Sequence, residues 1–169
     1  LSLNERIWRA NNSEWRGINY FVQKYFADGI EELQKAAAVS TPYHRYIVKD
    51  MAGSLIRLYK EDTSFPGVDG LVQNAFAAME RAEKDDPLHY AFPFTIADMA
   101  TVVYPLDRSY LDKGEAALDR AEKLSPRRQG TWYIRAKIRY LKGDPAGARD
   151  AMNTAVELDP QVGDTHFYY

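Results

Sequence analysis

Residues 129–162 read QGTWYIRAKIRYLKGDPAGARDAMNTAVELDPQV, and this stretch decides the fold. Trp132 opens a first run of apolar residues at helical spacing, and Ala136 gives that run a small residue. Gly143 and Asp144 favour a turn, and Pro160 closes a second helical run. The pattern predicts two helices joined by a tight turn. One such pair cannot bury its apolar face alone, so we expect similar units beside it.

The spacing of small and apolar residues in the second helix recurs three times upstream. The four sets are Gly29, Leu33 and Ala36; Ala75, Met79 and Ala82; Gly114, Leu118 and Ala121; and Ala148, Met152 and Ala155. The predicted helices before the clear unit cover residues 14–26, 43–60, 72–87, 91–104 and 111–126, with Ser13 as the first N-cap. Closing prolines at positions 42, 87, 126 and 160 are separated by 45, 39 and 34 residues, so the units become more regular toward the C-terminus.

We therefore predict a single domain over residues 1–169. Its approximate units are residues 4–42, 43–87, 88–126 and 127–162, and residues 163–169 begin a further helix. Within the second unit, residues 61–70 contain a proline and two glycines, which predicts a long loop. That loop either contacts a partner or is an inert insertion.

The repeated unit resembles the tetratricopeptide (TPR) repeat over essentially the whole chain, and most specifically from residue 111 onward. The resemblance implies an all-α fold, a right-handed superhelical solenoid of about four antiparallel helix pairs with a terminal stub. It also implies a scaffold that binds a protein or peptide partner. The helical period of the apolar residues independently favours an all-α fold.

Composition excludes several classes of function. The net charge is −2, so no broad basic surface exists to hold nucleic acid. The absence of cysteine excludes disulfides, thiolate metal sites and cysteine nucleophiles. The most apolar run, residues 88–106, contains Asp98 and two prolines, so we expect no part of this chain to insert into a membrane. The aromatic content of 13% indicates either helix–helix packing or a tyrosine-lined groove for a partner.

The sequence also lacks the patterns that carry catalysis. His44, His89 and His166 have no metal-ligand spacing to one another. A glycine-rich phosphate loop and the GxSxG and HExxH motifs are missing as well. We therefore predict that the chain is not an enzyme and needs no cofactor or metal.

The first helices of TPR units line a concave surface, and this expectation selects candidate partner-binding residues. These are Tyr46, Lys49 and Gly53; Ala91, Phe94, Asp98 and Thr101; and Tyr133, Lys137 and Tyr140. The set mixes aromatic side chains with single charges, which suits a peptide or helix of mixed chemistry. The alternative is that these residues merely cap a short superhelix.

Arg128, Arg135 and Arg139 lie on roughly one face of the last unit's first helix, together with Lys142. Two of these arginines replace residues that are normally apolar in the repeat. One interpretation is contact with an anion, such as a phosphosugar. The other is that the arginine stems lie on the core and their guanidinium groups pair with carboxylates of the adjacent helix, such as Glu115 or Asp119.

A narrower resemblance involves residues 36–55 (AAAVSTPYHRYIVKDMAGSL) and 124–169. The segments TPYHRY, LSPRRQ and GDTHFYY are similar to the tail of bacterial O-antigen ligase or polymerase-like membrane proteins. The resemblance implies a soluble periplasmic or extracytoplasmic module attached to a membrane glycan enzyme, with that enzyme's glycan substrate as a further partner. Because the chain starts at Leu1, we expect it to be a piece of a longer protein. The alternative is a cytoplasmic peptide-binding TPR adaptor.

Overall fold

A computed structural model describes residues 2–39, 44–61 and 65–160 of the 169-residue chain. The described helices are α1 (Leu3–Val22), α2 (Phe26–Ala37), α3 (His44–Glu61), α4 (Val68–Asp85), α5 (Ala91–Val103), α6 (Ser109–Leu124), α7 (Gln129–Lys142) and α8 (Pro145–Leu158). These residues contain no strand, so the all-α prediction is confirmed.

The chain divides into two compact units, Leu1–Lys84 and Asp85–Tyr169. The division falls close to the predicted boundary between the second and third sequence units. The sequence predicts a single domain and a right-handed superhelix. Both describe how the two units are arranged, so both stay predictions. The terminal stub at residues 163–169 lies outside the described residues.

Small residues bring α1 and α2 close together in the first unit. A Cβ atom on Gly29 would lie 2.5 Å from Cδ2 of Phe21, and one on Gly17 would lie 2.7 Å from Cγ of Leu33. Both glycines are buried, so the large side chains of each helix fill the space that the other helix leaves open. α3 then packs against both α1 and α2.

In the second unit a glycine also lets helices pack closely, at Gly114 on α6. A Cβ atom there would lie 2.8 Å from Cβ of Ala100 on α5 and 2.9 Å from Cδ1 of Ile138 on α7. α6 therefore contacts its partner α5 and the following helix α7 at one point. α5 also packs against α7, and α7 against α8.

The turn between α7 and α8 confirms the prediction at Gly143 and Asp144. Gly143 has φ 88°, a left-handed conformation that an L-residue rarely adopts, and it ends α7. The Asp144 carboxylate accepts a hydrogen bond from the Gly147 N–H at 2.9 Å, and Pro145 occupies the first turn of α8. A C-terminal glycine and an N-terminal Asp–Pro pair thus set both helix ends.

The predicted start of the first helix was wrong. α1 begins at Leu3, because the Ser2 hydroxyl caps it by accepting the Glu5 N–H at 3.2 Å, so Ser13 lies inside the helix. α1 ends at Val22, before the predicted residue 26, since Lys24 takes a positive φ of 64° in a tight turn. The predicted helix stop at residues 40–42 lies outside the described residues.

The start of α4 and the buried residues of α8 also differ from the prediction. α4 begins at Val68, four residues early, because Gly67 has φ 77° and starts the helix inside the predicted loop. Residues 62–64 of that loop lie outside the described part of the chain. In α8 the buried residues are Ala151 and Ala155, whereas the predicted Ala148 and Met152 are half-buried. The other three predicted second-helix sets are buried throughout.

Candidate binding surface

The second unit brings one face of α5 next to one face of α7. A Cβ atom on Gly130 would lie 3.5 Å from Cε2 of Phe94, which places the Gly130 side of α7 beside α5. Tyr133, Lys137 and Tyr140 follow Gly130 at helical spacing and therefore share that side. We call the combined surface the α5/α7 face; its residues are Tyr90, Phe94, Asp98, Tyr133, Lys137 and Tyr140.

One end of the α5/α7 face is an ordered aromatic cluster. The rings of Tyr90 and Phe94 stack with centroids 5.4 Å apart, and the Tyr90 hydroxyl shares a hydrogen bond of 2.9 Å with Oγ1 of Thr131. Burial raises the pKa of Tyr90. The Arg128 guanidinium lies 4.8 Å from the centroid of the Tyr90 ring, a cation–π contact. Arg128 is thus engaged with the α5/α7 face rather than extended from it.

The other end of the α5/α7 face is accessible to solvent. Tyr140 is 69% exposed, and Lys137 is exposed as well. Asp98 on α5 is half-buried. The prediction for Thr101 was wrong: this residue is buried, and its hydroxyl donates a hydrogen bond of 2.8 Å to the Asp98 carbonyl within the same helix.

The predicted residues of the first unit lie on α3. Tyr46 is exposed, with the Arg45 guanidinium 5.5 Å from its ring centroid. The Lys49 ammonium lies 3.5 Å from Oδ1 of Asp50, and nothing would lie within 4 Å of a Cβ atom on Gly53. The binding role of these residues, like that of the α5/α7 face, stays a prediction.

Arg135 is only 5% exposed and bridges α7 to α6. Its Nη2 donates hydrogen bonds of 3.0 Å to Oδ1 of Asp119 and to Oε2 of Glu122. Its guanidinium also lies 5.5 Å from the Trp132 ring centroid. This is the carboxylate pairing that the second interpretation of the arginines predicts.

Arg139 and Lys142 form a second ion-pair network at the end of α7. Nε of Arg139 lies 3.7 Å from Oε1 of Glu115, and Nη1 donates a hydrogen bond of 3.3 Å to the Gly147 carbonyl. The Lys142 ammonium lies 2.6 Å from Glu115 and 2.7 Å from Asp112. Hydrogen bonds to these two carboxylates raise the pKa of Lys142. An anion at this network would have to displace carboxylates, so anion contact stays a prediction that the observed pairing does not favour.

Two surface features were not predicted from the sequence. The first is a row of exposed apolar side chains on α1, where Trp8 is 65% and Trp15 is 67% exposed. Their spacing of seven residues was the available signal, but the predicted helix began after Trp8. The second is a cleft of about 370 Å³ among α2, α3 and α4, lined by Leu33, Met51 and Leu71, among others.

The described residues contain no group of three or more histidine or carboxylate side chains placed to hold a metal ion. In the same part of the chain, no helix is long and apolar enough to cross a membrane.

The structure is similar to the crystal structure of a thermophilic TPR protein from Thermus thermophilus. The TM-score is 0.73, and the match covers 97% of this chain and 81% of that chain, with 18% sequence identity. No protein-family profile and no curated protein sequence matches the chain. At this identity the likeness shows the fold alone, and the O-antigen ligase resemblance receives no support from it. The chain has a TPR-type fold of helical repeats.

Proposed function

We propose that this chain is a non-catalytic interaction module that binds a peptide segment of a protein partner on the α5/α7 face. The observation that carries the proposal is the exposure of Tyr140 beside Lys137 on a helix that is otherwise firmly packed. Tyrosine combines a large apolar ring with a hydroxyl and loses little conformational entropy on binding, which makes it common at interfaces.

The helix that presents Tyr140 is held rigidly from behind. Arg135 ties α7 to α6 through two carboxylates, and Ile138 packs against Gly114. Gly143 and the Asp144 cap fix the end of the same helix. A surface that is already ordered loses little conformational entropy when a partner binds, so even a modest contact area gives useful affinity.

The side chains of the α5/α7 face define the chemistry of the partner. The Tyr90–Phe94 stack offers apolar contact at one end, and Tyr140 offers it at the other. Asp98 and Lys137 add one charge of each sign between them. The fitting ligand is therefore a segment with apolar anchors and mixed charges, in keeping with peptide grooves in general.

Selection from a random peptide library displayed on phage tests the proposal without a known partner. We expect the wild-type chain to enrich peptides that the Tyr133→Ala/Tyr140→Ala variant binds at least tenfold more weakly. Tyr25→Ala is the matched control, because Tyr25 is an exposed tyrosine in the first unit. Circular dichroism should show that all three chains remain folded.

Two results would overturn this assignment. One is a selection that enriches no peptide. The other is a set of enriched peptides that bind the double variant as well as they bind the wild-type chain.

We further propose, from the sequence resemblance alone, that the module belongs to a bacterial membrane protein of surface-polysaccharide assembly. There it would lie on the periplasmic or extracytoplasmic side and recruit a protein partner or position a glycan substrate. A cytoplasmic peptide-binding adaptor would use the same face. Fractionation of the full-length native polypeptide separates the two: recovery with membranes supports the first, and recovery in the soluble fraction supports the adaptor.

A further inference from the structure

The outer side of α1 carries an exposed apolar stripe that the proposed function does not use. Trp8, Trp15 and Val22 are all more than 60% exposed and are seven residues apart. The buried residues of α1, Ala10, Gly17 and Phe21, occupy the opposite side of the helix. Two tryptophans with this exposure on one helix are unusual, because large aromatic rings are normally buried.

The stripe between the tryptophans is uncharged. Asn4, Asn11, Asn12 and Asn19 occupy the positions around them on the outer side of the helix. From Asn4 to Val22 the stripe is about 27 Å long at 1.5 Å per residue. An apolar seam with a seven-residue period is the pattern by which one helix packs lengthwise on another.

The tryptophans and asparagines of the stripe are placed symmetrically about the midpoint between Asn11 and Asn12. Trp8 and Trp15 are equally distant from that midpoint, and so are Asn4 and Asn19. A twofold axis at this point would place Trp8 of one copy beside Trp15 of the other. We propose that two copies of this chain associate through α1, antiparallel, about a twofold axis at Asn11 and Asn12. Self-complementarity of this kind is what a twofold interface requires.

The flanks of the stripe are also compatible with the twofold arrangement. On one flank, Glu5 of one copy comes beside Arg16 of the other, which is an attractive pair. On the other flank, Ile7 of one copy comes near Ile18 of the other. Within one copy, Arg16 already lies 3.5 Å from Glu32, but Arg16 is about half exposed, so this pair is weak and free to rearrange.

The area involved is enough for a specific but modest dimer. Burying what remains exposed of the two indoles removes on the order of 300 Å² of surface from each copy. Val22, Ile18 and the asparagines bring the total for both copies to about 1,000 Å², near the lower limit for specific interfaces. We therefore expect a weak dimer whose population rises with protein concentration.

Other occupants fit the stripe less well. A bilayer surface would favour cations directly beside the tryptophans, but asparagines occupy those positions. A helix of an unrelated protein would have no need of the symmetry about Asn11 and Asn12. A second copy of the chain accounts for both the exposure and the symmetry.

Sedimentation velocity of the full 169-residue chain from 1 to about 200 μM tests for the dimer. We expect a shift from the 19.3 kDa monomer to twice that mass. Trp8→Ser/Trp15→Ser should stay monomeric over the same range with unchanged helicity. Tyr140→Ser, which removes an equally exposed ring elsewhere, should dimerise like the wild-type chain. A wild-type chain that is monomeric at every concentration would overturn the proposal.

Cysteine cross-linking tests the antiparallel geometry, and the chain has no cysteine of its own to interfere. Asn11→Cys should be linked to itself by a short bismaleimide, because position 11 lies at the axis. Asn4→Cys and Asn19→Cys should each fail to link alone, since like positions are about 22 Å apart along the helix. Mixing those two single variants should restore the link. Self-linking of Asn19→Cys together with failure of the mixture would show a different interface and contradict the proposal.

Discussion

Nη2 of Arg135 lies 3.0 Å from Oδ1 of Asp119, yet the two partners have very different environments. The Arg135 side chain is almost wholly buried, whereas the Asp119 side chain is more than half exposed and that of Glu122 is partly exposed. A buried cation that loses its partners is strongly destabilised, but a carboxylate at the surface is solvated without its partner. Loss of the carboxylates should therefore destabilise the fold more than loss of the arginine does.

This asymmetry predicts that removing the arginine costs little stability and that removing the two carboxylates costs more. Arg135→Met keeps the stem volume and should lower the free energy of unfolding by less than about 1 kcal/mol, because both carboxylates remain hydrated. Asp119→Asn/Glu122→Gln leaves the buried guanidinium without anionic partners and should cost about 2–3 kcal/mol. Urea unfolding followed by circular dichroism measures both. A larger loss for Arg135→Met than for the double variant would show that the ion pairs themselves hold α7 to α6, and would contradict the asymmetry.

Gly114 lies where three helices of the second unit meet. Gly114→Ala puts a methyl group 2.8 Å from Cβ of Ala100 and 2.9 Å from Cδ1 of Ile138, so one of the three helices must shift. We expect a loss of about 1–3 kcal/mol in thermal or urea unfolding. Gly53→Ala is the matched control, because nothing would lie within 4 Å of its new methyl group. It should stabilise α3 by about 0.5–1 kcal/mol through helix propensity, and equal effects of the two changes would contradict this packing.

Glu14 on α1 makes the stability of the first unit depend on pH. Burial, followed by the charge of Asp50 and a hydrogen bond with it, raises the pKa of Glu14 above its usual 4.5. The folded state thus binds a proton more tightly than the unfolded chain does. The resulting stabilisation is complete below pH 4.5 and is lost as the pH rises through the raised pKa.

Glu14→Gln imitates the protonated side chain and tests this dependence. Relative to wild type, Glu14→Gln should raise the free energy of unfolding more at pH 7 than at pH 4. Asp50→Asn removes one of the causes and should bring the pKa of Glu14 closer to its usual value, as NMR titration of the carboxyl carbon would show. A difference between Glu14→Gln and wild type that is the same at both pH values would refute the raised pKa.

The helix pairs could be predicted from the sequence because short-range signals are strong where packing is tight. Three sets of small and apolar residues in second helices are buried as predicted, and the Gly143–Asp144 turn is formed by a left-handed glycine and an aspartate cap. These features depend on residues within one or two turns of each other. The positions of helix ends were less predictable. The start of α1 depends on one hydrogen bond to the Ser2 hydroxyl, and its end depends on one backbone angle at Lys24.

Surface features were harder to predict because they depend on which side of a helix the core occupies. Thr101 was expected to be accessible but turns toward the interior and bonds to its own helix. Trp8 and Trp15 look like core residues in the sequence, and only the packing of Ala10 and Gly17 shows that they face outward. The pairing of Arg135 with Asp119 was foreseen as one of two alternatives, since the sequence does not show how close those side chains come.

NMR chemical-shift perturbation of the 169-residue chain by a library-selected peptide tests the interaction module most directly. We expect the largest backbone amide shifts to cluster around Phe94, Tyr133, Lys137 and Tyr140, and we expect Tyr140→Ala to weaken them. Shifts confined to the tryptophan stripe of α1 or to the cleft among α2, α3 and α4, with no change around Tyr140, would contradict it.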